Sequence, residues 1–175
     1  MILALDVHYR ETEPKVVGLL FHWEDKEPRK IFIEYLQSIE AYTPGEFYKR
    51  ELPCLLKVIG KIDLETIEAI IIDGHIYVNN NCEYGLGGKL YEKLNKQIPI
   101  IGVAKTPFFK NKETVKELYR GKSKNPLYIS SIGLDFTINK IKNMYGEFRI
   151  PTILKQLDTY VIFPLLGTFK SIVFI

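Results

Sequence analysis

The sequence predicts an α/β protein on a mixed sheet, three antiparallel strands followed by parallel strands, with helices on the flanks. Two observations lead to this class. Strand-like runs at residues 2–9, 15–23 and 30–36 are separated by short, charged, proline-containing connections, Arg10 to Pro14 and Glu24 to Arg29, the pattern of an antiparallel meander. Further on, Ala69-Ile70-Ile71-Ile72-Asp73 and Ile98 to Ala104 are short apolar runs alternating with helix-like segments, as expected of parallel strands buried on both faces. The length of 175 residues and the 46% hydrophobic content suit a single domain over residues 1–175 with a substantial core.

Taken in order, Ile2 to Tyr9 sets Asp6 in mid-strand among apolar neighbours. A carboxylate there is costly unless paired, hydrogen-bonded or bound to a metal; an outward-facing acid on an alternating strand is the plainer alternative. After the turn signature Tyr42-Thr43-Pro44-Gly45, Pro53 predicts a helix from near Leu52 to Gly60 with Leu55, Leu56 and Ile59 inward. Glu51 then lies at a helix N-terminus, where the dipole favours an acid whatever its function. The next strand ends abruptly at Asp73-Gly74-His75, and ligands of open α/β sheets gather at such carboxyl ends.

Tyr77 to Glu83 is polar and asparagine-rich, hence a loop. The helix that follows opens on Gly85-Leu86-Gly87-Gly88, glycines that serve either the approach of a phosphate or close packing on the sheet. The strand Ile98 to Ala104 ends at Lys105, so an acid and a lysine are expected side by side on one sheet edge. Lys112 to Tyr119 is expected to be a basic surface helix, Leu127 to Ile132 a strand, and Phe136 to Tyr145 a helix with Asp135 near its cap and Gly146 as its stop. Ile150-Pro151 opens a last helix carrying Ile153, Leu154 and Leu157. Val161 to Ile175 reads as a terminal strand, an interaction segment or an altered terminus.

A net charge of +3 does not by itself call for a polyanion. Between Lys105 and Lys124, however, seven Lys/Arg face two acids, either a phosphate track or a solvated surface. Cys54 and Cys82 form no metal or disulfide pattern, which fits a reduced, cytoplasmic setting. No secretory leader is expected at the N-terminus, and no apolar run is long enough to span a bilayer.

This order of elements matches a ribonuclease-H-like sheet, in which an acid on the first strand lies beside the acid ending the fourth. Adjacent strands lie about 4.8 Å apart, so Asp6 and Asp73 are placed to share a divalent ion. Carboxylates without a His/Cys set select Mg²⁺ or Mn²⁺ over zinc, ions that can generate hydroxide and stabilise the charge on a phosphodiester.

Five segments in order resemble the endonuclease V family, nucleases that recognise hypoxanthine as inosine or deoxyinosine. They are Leu5 to Tyr9, Tyr42 to Pro53, Asp73-Gly74-His75, Gly85-Leu86-Gly87, and Ile101 to Lys105, within a match over about residues 3–158. The resemblance implies that Asp6, Glu51 and Asp73 bind the metal, Mg²⁺ with Mn²⁺ able to substitute, and that Lys105 contacts the phosphate. It implies that Tyr42, Thr43 and Pro44 form a wedge and that Gly45, Phe47, Gly74, His75 and Ala104 lie around the pocket of an extruded base. The expected partner is inosine-containing DNA or RNA, the expected cut is one nucleotide beyond the modified base, and a monomer is favoured.

Four positions depart from the family pattern. Ile76 replaces a glycine, putting a side chain at the pocket; Asn79 replaces a histidine; Ala41 replaces the wedge's first proline; and Leu134-Asp135 stands where many members place a metal-site histidine, leaving Asp135 as a substitute oxygen ligand or a helix cap. Two alternatives therefore stand beside the inosine nuclease: a ribonuclease-H-like nuclease of structure-selective specificity, and a non-catalytic nucleic-acid-binding protein.

Overall fold

A computed structural model describes residues 1–9, 13–36, 47–135, 138–163 and 172–174. An antiparallel meander comes first, β1 (Ile2–Tyr9), β2 (Pro14–Phe21) and β3 (Lys30–Tyr35). Helix α1 (Phe47–Ile59) leads to β4 (Ala69–Asp73), α2 (Leu86–Lys93) and β5 (Ile100–Ala104). The chain continues through β6 (Lys116–Leu118), β7 (Leu127–Ile132), α3 (Ile138–Asn143), α4 (Thr152–Ile162) and β8 (Ile172–Phe174). One eight-stranded sheet results, in the order β6-β7-β5-β4-β1-β2-β3-β8. The pairs β1–β4 and β4–β5 are parallel, so the mixed sheet expected from the sequence is present, in a ribonuclease-H-like arrangement.

Side chains alternate across the strands and divide the core in two. Ile2, Ala4, Ala69 and Ile71 pack with Ile141 of α3 and with Ile153, Leu154, Leu157 and Val161 of α4. Leu3, Leu5, Ile70 and Ile72 pack on the other face against Leu52, Leu55, Val58 and Ile59 of α1 and Leu90 of α2. The C-terminal end of α4 is fastened to β2 by Lys15, fully buried, whose ammonium donates to the carbonyls of Tyr160 and Phe163. Arg120, 6% exposed, turns its guanidinium onto the carbonyls of Lys142, Met144, Gly146, Phe148 and Arg149, which fixes the connection from α3 to α4.

Three expectations change. Helix α1 starts at Phe47 and runs through Pro53; its buried Leu52, Leu55, Val58 and Ile59 outweigh the backbone bond a proline forfeits. Glu51 therefore lies within the helix and not at its first turn. The helix expected over Lys112 to Tyr119 is instead a turn and the edge strand β6, in which Lys116 pairs with Ile129 and Leu118 with Leu127; Thr114 and Val115 are β-branched, and Leu118 is buried while its neighbours face water. Helix α3 is shorter than expected, and Phe136 and Thr137 lie outside the described residues. In the tail, α4 continues to Ile162 and β8 joins β3 in parallel, so the described part includes a terminal strand.

Candidate active site

The register of β1 on β4 pairs Leu5 with Ile72, so the next residues, Asp6 and Asp73, emerge side by side on the face covered by α4. The same face of β5 carries Val103, and Lys105 follows just beyond the strand end. Asp158 meets them from α4, one turn after Leu154 and one before Val161. Among the described residues, Asp6, Asp73 and Asp158 each offer an oxygen within 4.8 Å of the others. Lys105 Nζ donates to Asp73 Oδ2 at 2.5 Å and to Asp158 Oδ1 at 2.8 Å. The Lys105 backbone is itself held, its carbonyl accepting from the guanidinium of Arg149.

The electrostatics are those of crowded anions taken out of water. Burial and then the Asp73 carboxylate push Asp6 up to about 7, against the pull of the Val7 amide, which donates to its Oδ1 at 2.8 Å. Burial, followed by Asp6 and Asp73, pushes Glu51 up to about 8. For Lys105, burial works against the charged form, but the hydrogen bonds to Asp158 and Asp73 outweigh it and raise the ammonium above its ordinary value. An all-oxygen set of three close carboxylates, one of them, Asp6, held above its ordinary range by burial, fits a hard divalent cation. Glu51 shares this field from α1 but is not part of the close carboxylate group.

A family model described as Endonuclease V matches residues 1–159. The chain belongs to the endonuclease V family. No curated protein matches it. Among solved structures, endonuclease V from Bacillus subtilis is 22% identical with a TM-score of 0.70, the alignment covering 92% of this chain and 79% of that one. Human endonuclease V is 19% identical, with a TM-score of 0.69 and coverage of 92% and 82%. A Ciona intestinalis endonuclease V, solved with a 23mer DNA containing an inosine followed by a ribo-adenosine, is 13% identical with a TM-score of 0.75 and coverage of 92% and 83%. The chain thus has the fold of this nuclease family.

Beside the carboxylates, a cavity of about 370 Å³ has Tyr48, Glu51, Asp73, Gly74, His75 and Phe108 among its lining residues, within the size range of ligand sites. Gly74 turns the chain into it at φ +144°, a value that suits glycine alone. His75 bonds the Thr106 carbonyl through Nε2 at 3.2 Å, so Nε2 carries the proton; burial lowers its pKa, and Nδ1 is buried without a hydrogen-bond partner among the described residues. Ala104 is buried at the end of β5, outside this lining. Tyr42, Thr43, Pro44 and Gly45 lie outside the described residues, and Phe47 is placed only as the first residue of α1.

Of the departures from the endonuclease V pattern, Ala41 lies outside the described residues, and the others take different places from those expected. Ile76 is fully buried and does not line the cavity. Its room comes from Gly87 of α2, where an added Cβ would sit 2.4 Å from Ile76 Cδ1; the glycines of α2 thus serve packing. Asn79 organises its own loop, accepting from the amides of Asn81 and Glu83 and donating to the Glu83 carboxylate. Asp135 is exposed and apart from the carboxylate group. The third carboxylate is Asp158, which sequence reasoning did not single out. Its signal was an acid in the apolar stripe of a helix, at i+4 from Leu154.

Proposed function

We propose that this chain is a divalent-metal-dependent endonuclease hydrolysing a phosphodiester on the 3′ side of inosine or deoxyinosine. One observation carries the reading: Asp6 of β1, Asp73 at the end of β4 and Asp158 of α4 converge, with Lys105 from the end of β5 among them, in a chain of the endonuclease V family. Support for inosine comes from the Ciona intestinalis relative, whose complex contains that base, and from the cavity beside Asp73.

Asp6, Asp73 and Asp158 would hold Mg²⁺, or Mn²⁺ in its place, and the Glu51 carboxyl, in the same field from α1, would give up its proton more readily with a cation there. When bound, such an ion supplies electrophilic charge to the phosphodiester and lowers the cost of ionising water. Lys105 presents its ammonium to the phosphate beside Asp73 and offsets the charge that develops there. Gly74 and His75 form the turn under the cavity and orient an extruded base, which unstacks at least cost when its pairing is already weak. The substrate is DNA or RNA containing inosine.

The test is strand cleavage of matched oligonucleotides with and without one inosine, as DNA and as RNA, in Mg²⁺, Mn²⁺ or EDTA. Metal-dependent cutting one nucleotide beyond inosine is the expected result. Equal cutting of branched, mismatched or plain single strands would favour the structure-selective nuclease, a reading supported by Asn79 being committed to its own loop. Salt-dependent binding without turnover would leave only a binding protein.

A further inference from the structure

Beyond Lys105 the chain makes a turn at the rim of the cavity. Asn111 N donates to Phe108 O at 3.2 Å, which makes Phe109 and Lys110 the two tip residues. Phe109 is 84% exposed. A single exposed apolar side chain needs no explanation by itself, but three features set this one apart.

First, the turn is anchored. Asn111 is fully buried and donates through Nδ2 to Tyr77 O at 2.8 Å, and Glu113 N donates to Asn80 Oδ1 at 3.0 Å. The ring is therefore presented to water by a built support. Second, the tip is basic. Lys110 flanks the ring in sequence, and Lys112 Nζ lies 5.6 Å from its centroid. Third, the turn borders the candidate site. Phe108 lines the cavity next to Asp73, its ring 6.2 Å from that of His75, and Phe109 follows Lys105 by four residues, at most about 14 Å of chain. Of the basic run from Lys105 to Lys124, Arg120 is spent on carbonyls, whereas Lys110 and Lys112 at this tip, close in sequence to the cavity-lining Phe108, are exposed. An aromatic face with ammonium groups around it is the arrangement that holds single-stranded nucleic acid, the bases on the ring and the phosphates on the lysines.

We propose that Phe109 stacks on an unpaired nucleobase of the substrate strand near the modified base, with Lys110 and Lys112 on the adjoining phosphates. This rests on the nuclease reading for the path of the strand, but its test reads affinity alone. Binding is measured in EDTA with single-stranded inosine oligonucleotides, as DNA and as RNA, in which one nucleotide at a time around the inosine is made abasic. Phe109→Ala should weaken binding about ten-fold and Phe109→Trp should keep it. At one position, loss of the base should cost the unaltered protein the same factor and cost Phe109→Ala nothing further. The π-face is common to both nucleic acids, so the coupling should be equal in DNA and RNA. Unchanged affinity of Phe109→Ala, the same abasic penalties in both proteins, or coupling confined to one sugar type would overturn the stacking. Failure of the unaltered chain to cut at inosine would sink the nuclease reading and leave this measurement standing.

Discussion

Lys105 Nζ and Asp158 Oδ1 meet at 2.8 Å across a separation of 53 residues. The contact joins the end of β5 to α4, and because the same ammonium also reaches Asp73, one positive charge serves two carboxylates that would otherwise repel. The close group of acids is thus held together by a cation supplied from within the chain.

Asp73→Asn should abolish cleavage, and Asp158→Asn should lower it by roughly a hundred-fold or more, since each change removes an anionic oxygen from the proposed metal set. Both variants should keep the circular dichroism spectrum of the parent. Full activity in Asp158→Asn would take Asp158 out of the site.

Lys105→Met should destabilise the metal-free protein by roughly 1–3 kcal/mol, because it leaves two close carboxylates without their shared donor. Millimolar Mg²⁺ should recover most of that loss while cleavage stays low. Melting curves with and without Mg²⁺ check it, and a deficit that Mg²⁺ leaves untouched would speak against a cation site here.

The pH dependence follows from Asp6 and Glu51. Their ordinary values of 3.8 and 4.5 are raised by folding to about 7 and 8, so the native state keeps these protons to higher pH than the unfolded chain does. Across that interval unfolding releases protons, and stability falls as pH rises. In EDTA the melting temperature should drop between about pH 5 and about pH 8, and the double variant Asp6→Asn, Glu51→Gln should flatten the decline. An unchanged slope in that variant would show that other groups cause it.

Gly87→Ala should cost about 1–3 kcal/mol through overpacking against Ile76 and Ile72. Adding Ile76→Val, which removes the clashing Cδ1, should return part of that stability in thermal melts. Additive losses in the double variant would mean the contact is not the cause.

Much of this was legible in the sequence because strands bury in simple patterns. The apolar runs located β1, β4 and β5, and an acid or lysine at a strand end is visible in one dimension, so Asp6, Asp73 and Lys105 could be named before any coordinates. Asp158 could not, because it reaches the site through the docking of α4, a contact of the kind no short window contains. Pro53 misplaced the start of α1 because local propensity yielded to the buried face of the helix. Ile76 was misjudged for a related reason: its position beside Gly74 suggested the cavity, while the space it fills was opened by Gly87 on another element.

Arg120 has a consequence for how this chain can change. All five of its acceptors are main-chain carbonyls, so it reads the path of the connection between α3 and α4 and not its spelling. The exposed residues along that connection can drift without loosening the grip, provided the carbonyls keep their directions, whereas Gly146, at φ +114° with no room for a Cβ, and the buried Met144 are held by their own surroundings. Arg120 itself has no such latitude, since a lysine in its place would offer a single ammonium to a ring of acceptors shaped for a planar fork.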